Sequence, residues 1–574
     1  MSKKRIAAFF IALALLLTAG CGGESIRGSI SAADRPRSTP APEESPSEEE
    51  IEVRSYGGEH FAEVRRPEVH FEDMEYVRYE EADFMALCDE VYGFAENGGS
   101  RNDADDALWL IYDELCYIYT LYTLAELRCD SDPTDSAAAE ELEYISDIYF
   151  RMYDEYMFAL GALAASKNSK LMSLSYDMDT INYFADYYGE RPEDYDGGAE
   201  LEAFSRENAL VSDYFRIMAE ELPDEKAAAE IFVELVEHRR EEAALYGYES
   251  YADYAYSEFY YKDYYPSDAE VLWAGVKEYF VPIVAENYDS VSRGVERMSI
   301  TGDVDCSTEA VLGALERNLP KISGELFDAY EYMIRNGLCD IGYDPRKADM
   351  GYTTRLYYYS APYIFNGAYD EFYDYLDMIH EFGHFANGLY TESDLIFGAS
   401  DNDLSELQSQ GLEMIFTAFY DDIFGKYAGK VEDFVLMDML MGVVDGAMYD
   451  EFQQRVYAEE ELSAERVCEI FAGLYEDYGY EPYEGYEYEW IYVVHNFEYP
   501  FYYISYAVSA LGALEIYSLM QSDFDAAVDK YLEVCAMDTE IYYYSEALEE
   551  AGFMDIFSEE SYAAIAENIN AHFE

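Results

Sequence analysis

The long proline-free stretch from Tyr363 to Glu481 is the feature that most constrains the fold of this chain. Proline inside a helix removes a hydrogen bond and clashes with the preceding turn, so a stretch without it can form long helices. Within the stretch, Leu376, Ile379 and Phe382 recur at the spacing of one helix face. We therefore expect a helix around these residues.

Residues 380–384 of this predicted helix read His-Glu-Phe-Gly-His. Positions i and i+4 lie one above the other on a helix, so His380 and His384 can bind one metal ion. Glu381 is rotated by about 100° and can reach a water on that metal, which makes it a candidate general base. The alternative is a chance match on a surface helix. It is less attractive because only seven histidines occur in the chain.

Two features near these histidines predict local structure. Asn387 and Gly388 form a pair that is typical of a helix end. Gly383 costs roughly 1 kcal/mol relative to alanine inside a helix. We therefore expect another backbone to pass close to Gly383, and a strand on the substrate side is one candidate.

A catalytic zinc site needs a third protein ligand and one open position. Several carboxylates follow His384 and compete for this role: Glu392, Asp394, Asp401, Asp403, Glu406 and Glu413. Glu406 is favoured because Asn402 or Asp403 can cap a helix that places Glu406 near its start. Gln410 and Glu413 would then share its face.

These residues resemble the thimet oligopeptidase and oligoendopeptidase F family of zinc metallopeptidases. Residues 406–413 read Glu-Leu-Gln-Ser-Gln-Gly-Leu-Glu and are similar to the Glu-x-x-Ser-Gln-x-x-Glu segment of that family. The first glutamate of the segment is the third zinc ligand there, which the resemblance places on Glu406. Two departures are a shorter spacer between His384 and Glu406, and Asn387 where many members have histidine.

A second part of the resemblance lies near the C-terminus. Residues 495–507 resemble the family's histidine and tyrosine-rich stretch, whose side chains face the zinc across the cleft. The candidate catalytic residues here are His495, Tyr502 and Tyr506, because imidazole and phenol donors stabilise charge that develops on a carbonyl oxygen. For the two tyrosines the alternative is packing in an amphipathic helix, since the chain has 62 tyrosines.

The predicted fold is mainly α. Apolar spacing indicates helices over residues 227–245, 271–280 and 524–535, and aromatic and β-branched residues predict a β patch over 352–365. Residues 237–252 and 361–366 resemble a helix and loop of the family and the strand before its zinc helix. The resemblance implies a large helical peptidase fold split by a deep substrate channel, with a small β-sheet next to the zinc helix and one Zn²⁺ per chain.

The N-terminus resembles a bacterial lipoprotein signal. Residues 3–5 are basic, residues 6–17 are apolar, and small residues lead up to Cys21. The apolar run is short for a membrane span, so we expect residues 1–20 to be a signal peptide and Cys21 to carry lipid. An ordinary signal peptide is the alternative. The prediction implies a protein outside the cytoplasm, anchored by lipid to a bacterial membrane.

The remaining chain divides into three predicted parts. Residues 21–66 are rich in proline and acidic residues and cannot bury a core, so they indicate a disordered tether. Residues 67–204 are expected to form a helical N-terminal lobe, and residues 205–574 the zinc metallopeptidase catalytic region.

The chain is strongly acidic. Its 36 Lys and Arg residues against 121 Asp and Glu residues give a net charge of −85. Nucleic acid is therefore excluded as a partner. The charge either attracts cationic peptides or keeps the surface solvated, and we favour solvation.

Together these features predict a zinc-dependent oligoendopeptidase that acts as a monomer on internal bonds of short peptides. One alternative is a helical zinc dipeptidyl carboxypeptidase, which would trim chain ends. The other is a non-catalytic lipoprotein that binds peptides and delivers them to a transporter. The intact set of His380, Glu381 and His384 argues against a pure binding protein.

Overall fold

The computed structural model describes residues 69–189, 198–218, 222–299, 304–348 and 350–573. The predicted signal peptide, the lipid on Cys21 and the tether lie outside these residues. The division into lobes at residue 205 stays a prediction.

Helices make up most of the described chain, as the sequence predicts. They are α1 (Glu81–Asn97), α2 (Arg101–Ser131), α3 (Ser136–Ala165), α4 (Met178–Tyr188), α5 (Gly198–Met218), α6 (Glu225–Leu245), α7 (Tyr251–Tyr254), α8 (Ala269–Gly275), α9 (Val281–Ser299), α10 (Thr308–Ile322), α11 (Gly324–Asn336), α12 (Tyr373–Tyr390), α13 (Asn402–Phe416), α14 (Tyr420–Phe424), α15 (Ala428–Ala458), α16 (Ala464–Asp477), α17 (His495–Glu498), α18 (Ile504–Met520), α19 (Phe524–Cys535), α20 (Tyr544–Glu550) and α21 (Glu559–Phe573). Five-residue π-helical segments, Ala255–Phe259 and Val276–Phe280, follow α7 and α8.

A three-stranded sheet lies beside α12, as expected. Its strands are β1 (Cys339–Asp340), β2 (Gly351–Leu356) and β3 (Ala361–Asn366). The order is β1-β3-β2, with β1 parallel and β2 antiparallel to β3. Strand β3 is the central strand, and every one of its residues is buried.

Helices α12 and α13 pack very closely at Gly383. A Cβ atom there would lie 2.6 Å from Cα of Ser409 and 2.9 Å from the carbonyl oxygen of Gln408. The expected close backbone is therefore present, but it belongs to a helix and not to a substrate-side strand. Glycine is needed at this position because a methyl group would push the two helices apart.

The predicted end of α12 is wrong. The helix continues through Asn387 and Gly388 to Tyr390. The amide of Asn387 donates to the carbonyl oxygens of Cys535 and Met537, at 2.9 and 2.8 Å. A tertiary contact therefore uses the asparagine that resembles a local helix stop.

The cap of α13 is Asp401, and not Asn402 or Asp403 as predicted. Asp401 accepts a hydrogen bond from the backbone N–H of Leu404 at 2.9 Å. Asn402 and Asp403 instead lie in the first turn of the helix. The result still places Glu406 near the start of α13, as the sequence predicts.

The loop between α12 and α13 is fixed by the N-terminal helices. Leu395 and Ile396 are 2% exposed and belong to the apolar cluster formed by α1 to α4. The backbone N–H of Leu395 donates to the hydroxyl of Tyr112 at 3.1 Å. These contacts set the path of the spacer between His384 and Glu406.

Among the described residues, no helix is both long and apolar enough to cross a membrane. All seven cysteines of the described part of the chain are free thiols.

Candidate metal centre and active site

Three side chains from α12 and α13 converge on one point. The Nε2 atom of His380 lies 3.3 Å from Nε2 of His384 and 3.6 Å from Oε2 of Glu406. One ligand atom from each residue lies within 4.8 Å of the others. The two histidines are partly exposed, so solvent reaches the metal group, whereas Glu406 is buried.

This donor set fits a zinc ion. Atoms bound at about 2.0–2.1 Å to a tetrahedral zinc lie about 3.3 Å from one another. The two printed separations, 3.3 and 3.6 Å, are close to that value. Two imidazole nitrogens and one carboxylate oxygen also form a ligand set of catalytic zinc sites that keep an open position. The structure therefore groups the three residues that the sequence predicts as ligands.

Three of the competing carboxylates have other partners. Asp394 accepts from the backbone N–H groups of Ile396 and Phe397, at 2.8 and 2.9 Å. Asp401 caps α13, and Asp403 binds Lys262 at 2.7 Å. These contacts explain why proximity in sequence does not bring every acidic residue to the metal group.

Glu413 supports the metal group from outside. Its Oε1 atom lies 2.8 Å from Nδ1 of His380, and the hydroxyl of Ser405 lies 3.2 Å from Nδ1 of His384. Burial lowers the pKa of His380, but the hydrogen bond and charge of Glu413, with Glu406 and Glu381, outweigh it and raise the pKa to about 10. A site with such an excess of negative charge favours a bound cation.

Glu381 is a buried carboxyl group with one prominent partner. The hydroxyl of Thr353 donates to Oε2 of Glu381 at 2.7 Å and to its carbonyl oxygen at 3.0 Å. Burial raises the pKa of Glu381 to about 7, although the charge of His380 and the bond from Thr353 lower it. A carboxyl group with a pKa near neutrality is suited to accept and return a proton. The sequence did not single out Thr353, whose only signal is its place in the β patch.

His495, Tyr502 and Tyr506 form a second cluster: His495 begins α17, Tyr502 lies in the turn after it, and Tyr506 lies in the first turn of α18. The hydroxyl of Tyr506 lies 3.4 Å from Nε2 of His495. The ring centre of Tyr502 lies 5.5 Å from the ring centre of His495 and 5.3 Å from that of Tyr506. Burial lowers the pKa of His495 to about 4, so its imidazole is neutral at pH 7. The catalytic roles of these residues stay predictions.

The turn that joins His495 to Tyr502 is held by a buried amide. Gln453 of α15 accepts from the backbone N–H of Phe501 at 2.5 Å and donates to the side chain of Asn496 at 2.8 Å. Phe501 has a φ of 70°, a strained value for a residue with a large side chain. Gln453 thus binds both ends of the turn, and no local pattern in the sequence predicts it.

Arg239 holds the same segment from α6. Its guanidinium group is fully buried and donates to the carbonyl oxygen of Phe497 and to Glu207. The sequence places Arg239 only within a segment of family resemblance. In the structure, Arg239 holds α17, the short helix that begins at His495, through the carbonyl oxygen of Phe497.

The helices that carry the two clusters pack along each other. At Gly512 of α18, a Cβ atom would lie 2.8 Å from the side chain of Leu407 of α13. At Gly411 of α13, it would lie 3.0 Å from Ile516 of α18. Glycine on each helix therefore allows close approach of the elements that carry Glu406 and Tyr506.

Solved structures share this fold. PZ peptidase A with an inhibitor has a TM-score of 0.66 and 18% identity, over 87% of this chain and 98% of that chain. A chain assigned as oligoendopeptidase F from Bacillus anthracis has a TM-score of 0.65 and 18% identity, over 88% and 98%. No family model and no curated protein matches the sequence. At these identities the likeness establishes the fold, which is mainly helical with a small sheet.

Proposed function

We propose that this chain, which has the fold of PZ peptidase A and oligoendopeptidase F, is a zinc-dependent oligoendopeptidase. One observation carries the proposal: His380, His384 and Glu406 bring three ligand atoms within 4.8 Å in this fold. The neighbouring Glu381 adds a buried carboxyl group to the same site. A fold of this kind supports many activities, so the proposal rests on the site.

In the proposed reaction, water adds to the peptide carbonyl carbon and the C–N bond then breaks. When bound, a zinc ion supplies Lewis acidity that polarises the carbonyl group and lowers the pKa of water. Glu381 accepts the proton of the attacking water and later delivers it to the leaving amine nitrogen. The hydroxyl of Thr353 binds Oε2 of Glu381 and so fixes which way the carboxyl group points.

His495, Tyr502 and Tyr506 are proposed to act on the carbonyl oxygen. Negative charge develops there as water adds, and a hydrogen-bond donor aimed at it lowers the barrier by a few kcal/mol. The neutral imidazole of His495 can donate its Nε2–H to the hydroxyl oxygen of Tyr506, 3.4 Å away, which leaves the single Tyr506 proton for the carbonyl oxygen. The ring of Tyr502 packs against both rings.

We propose short peptides as substrates. The deep channel implied by the family resemblance would admit extended peptides and exclude folded proteins. Such a substrate needs no partner subunit, so the active unit is proposed to be a monomer. Analytical ultracentrifugation of the active protein tests this, since a stable dimer would contradict it.

The N-terminal signal adds a proposed location outside the cytoplasm. Cys21 would carry lipid and tether the catalytic region to a bacterial membrane. Expression with a labelled fatty acid should label the wild-type chain and place it in the membrane fraction. A Cys21→Ser variant should lose the label, whereas a Cys88→Ser variant should keep it. Unlabelled wild-type protein would contradict the lipid anchor.

Internally quenched peptides with blocked ends test the proposed activity. The protein is incubated with peptides of graded length, with and without a chelator, and zinc is then restored. The proposal predicts internal cleavage of short peptides that the chelator abolishes and zinc restores. Trimming of free C-termini alone would favour the dipeptidyl carboxypeptidase. Binding of peptides without cleavage would favour the peptide-binding lipoprotein.

A further inference from the structure

Lys262 places a buried ammonium group between helices that carry the two site clusters. It lies in the segment between the π-helical residues Ala255–Phe259 and α8. Its side chain is 1% exposed, and that of its partner Asp403 is 2% exposed. In a chain with so few cations, a lysine with this degree of burial calls for a physical explanation.

The ammonium group has a full set of acceptors. Its Nζ atom lies 2.7 and 2.9 Å from the two carboxylate oxygens of Asp403 and 2.9 Å from the hydroxyl of Ser505. The hydroxyl of Tyr264 donates to Asp403 at 2.6 Å. Three donors on an ammonium group match these three acceptors. The amine is therefore fixed in direction as well as in place.

The two partners of Lys262 lie next to the two clusters. Asp403 is in the first turn of α13, three residues before Glu406. Ser505 is in the first turn of α18, directly before Tyr506. One side chain thus ties together the starts of the helices that hold a proposed metal ligand and a proposed carbonyl donor.

Stability alone is a weak reason for such a pair. Burial of two charges costs much of what their attraction returns, and apolar residues of similar volume often stabilise a fold as well. A buried pair does, however, specify one relative position of the elements it joins. The relevant position here is that of α18 along α13.

We propose that Lys262 is a positioning residue that sets the place of the Tyr506 hydroxyl relative to the metal group. The inference rests on the proposed function, because it concerns how that site is assembled. Lys262 itself contacts neither metal nor substrate in this account. Its replacement should therefore reduce kcat through Tyr506 and leave zinc binding intact.

A double-mutant cycle of Lys262→Met and Tyr506→Phe tests this. Loss of a carbonyl donor should lower kcat about 100-fold in Tyr506→Phe. A misplaced donor should cost a similar factor, about 100-fold, in Lys262→Met. If Lys262 acts through Tyr506, the double variant should be no worse than about 100-fold below wild type, because the second change removes nothing further. KM and zinc content should stay close to wild type in all three.

Lys530→Met is the matched control. Lys530 is less buried than Lys262 but is paired in the same way, 2.6 Å from Glu515. It joins α19 to α18 at Glu515, well after Tyr506 along α18. Its kcat should stay near that of wild type. In the double variant Lys530→Met with Tyr506→Phe, the increase in activation free energy should equal the sum of the increases in the two single variants.

A second variant keeps the test valid if Lys262→Met folds poorly. Lys262→Met with Asp403→Asn removes the unpaired carboxylate and should recover the melting temperature. The inference predicts that kcat stays low in this folded variant. Recovery of kcat together with stability would overturn it, as would independent losses in the cycle. Absence of zinc-dependent cleavage by the wild-type protein would instead overturn the proposed function, and this inference with it.

Discussion

The Nδ1 atom of His380 lies 2.8 Å from Oε1 of Glu413, on the same helix that presents Glu406 to the other nitrogen of the ring. Helix α13 therefore contacts both nitrogens of one imidazole. The hydrogen bond from Nδ1–H to Glu413 leaves Nε2 as the nitrogen that faces the metal group. It fixes the direction of the His380 ring, and a bound metal ion would take the place of the proton that the raised pKa of His380 keeps on Nε2.

Replacement of Glu413 tests this support. Glu413→Gln keeps an acceptor of the same size but removes the charge that holds the imidazole proton. We expect the affinity for zinc to fall about 10-fold or more. Competition with a chromogenic chelator measures it. Glu432→Gln on α15 is the control. Glu432 accepts from the hydroxyl of Tyr517 and not from a proposed zinc ligand, so this variant should bind zinc as wild type does. Equal affinity in the two variants would contradict the proposed support.

Thr353→Val tests the hydrogen bond to Glu381 with little change in shape. Without the donor, the ionised carboxylate loses a favourable partner and its pKa rises further above its ordinary value. Because the general base must be ionised, the acidic limb of kcat/KM should move to higher pH. The expected loss is roughly tenfold at pH 6 and smaller at pH 8.

The adjacent Thr354→Val is the control for this prediction. Thr354 lies on the other face of β2, opposite Tyr363 in the ladder, and its replacement should leave the pH profile unchanged. A Thr353→Val profile that coincides with wild type would remove the hydroxyl from any role at Glu381.

Gly383→Ala tests the close packing of α12 and α13. The added methyl group would lie 2.6 Å from Cα of Ser409, so the helices must separate. We expect a loss of about 1–3 kcal/mol in the free energy of unfolding, and weaker zinc binding because His384 and Glu406 move apart. Denaturant unfolding measures the first effect.

Gly388→Ala on the same helix is its control. A methyl group there would meet Pro362 at 3.5 Å, an ordinary contact. Alanine should therefore be neutral or stabilise the helix by up to about 1 kcal/mol. Equal stability of both variants would show that α12 and α13 are not held together at Gly383.

Patterns that repeat along the chain predicted much of the fold. Apolar spacing gave α19 as Phe524–Cys535, its observed bounds, and gave α6 within two residues of its start at Glu225. The stretch 271–280 instead divides into α8 and a π-helical segment. Apolar spacing does not predict this division. Gly275, the last residue of α8, leaves room for the ring of Tyr562, a contact with a distant part of the chain.

The metal group was predictable because local helix patterns mark each of its residues. His380 and His384 follow from helix geometry, and Glu406 from its place in the first turns of α13. Thr353 and Gln453 were not predicted, because each reaches the site from a distant part of the chain. Their roles depend on how β2 and α15 pack against other elements, and the spacing of residues along the chain does not predict that packing.

Zinc content and turnover, measured together in wild type, Glu381→Gln and His384→Ala, test the central claim most directly. Elemental analysis after dialysis should find about one zinc per chain in wild type and in Glu381→Gln. Turnover in Glu381→Gln should fall about 10²- to 10⁴-fold, whereas His384→Ala should lose the metal itself. A fully active Glu381→Gln variant, or a His384→Ala variant that retains zinc as wild type does, would contradict the account.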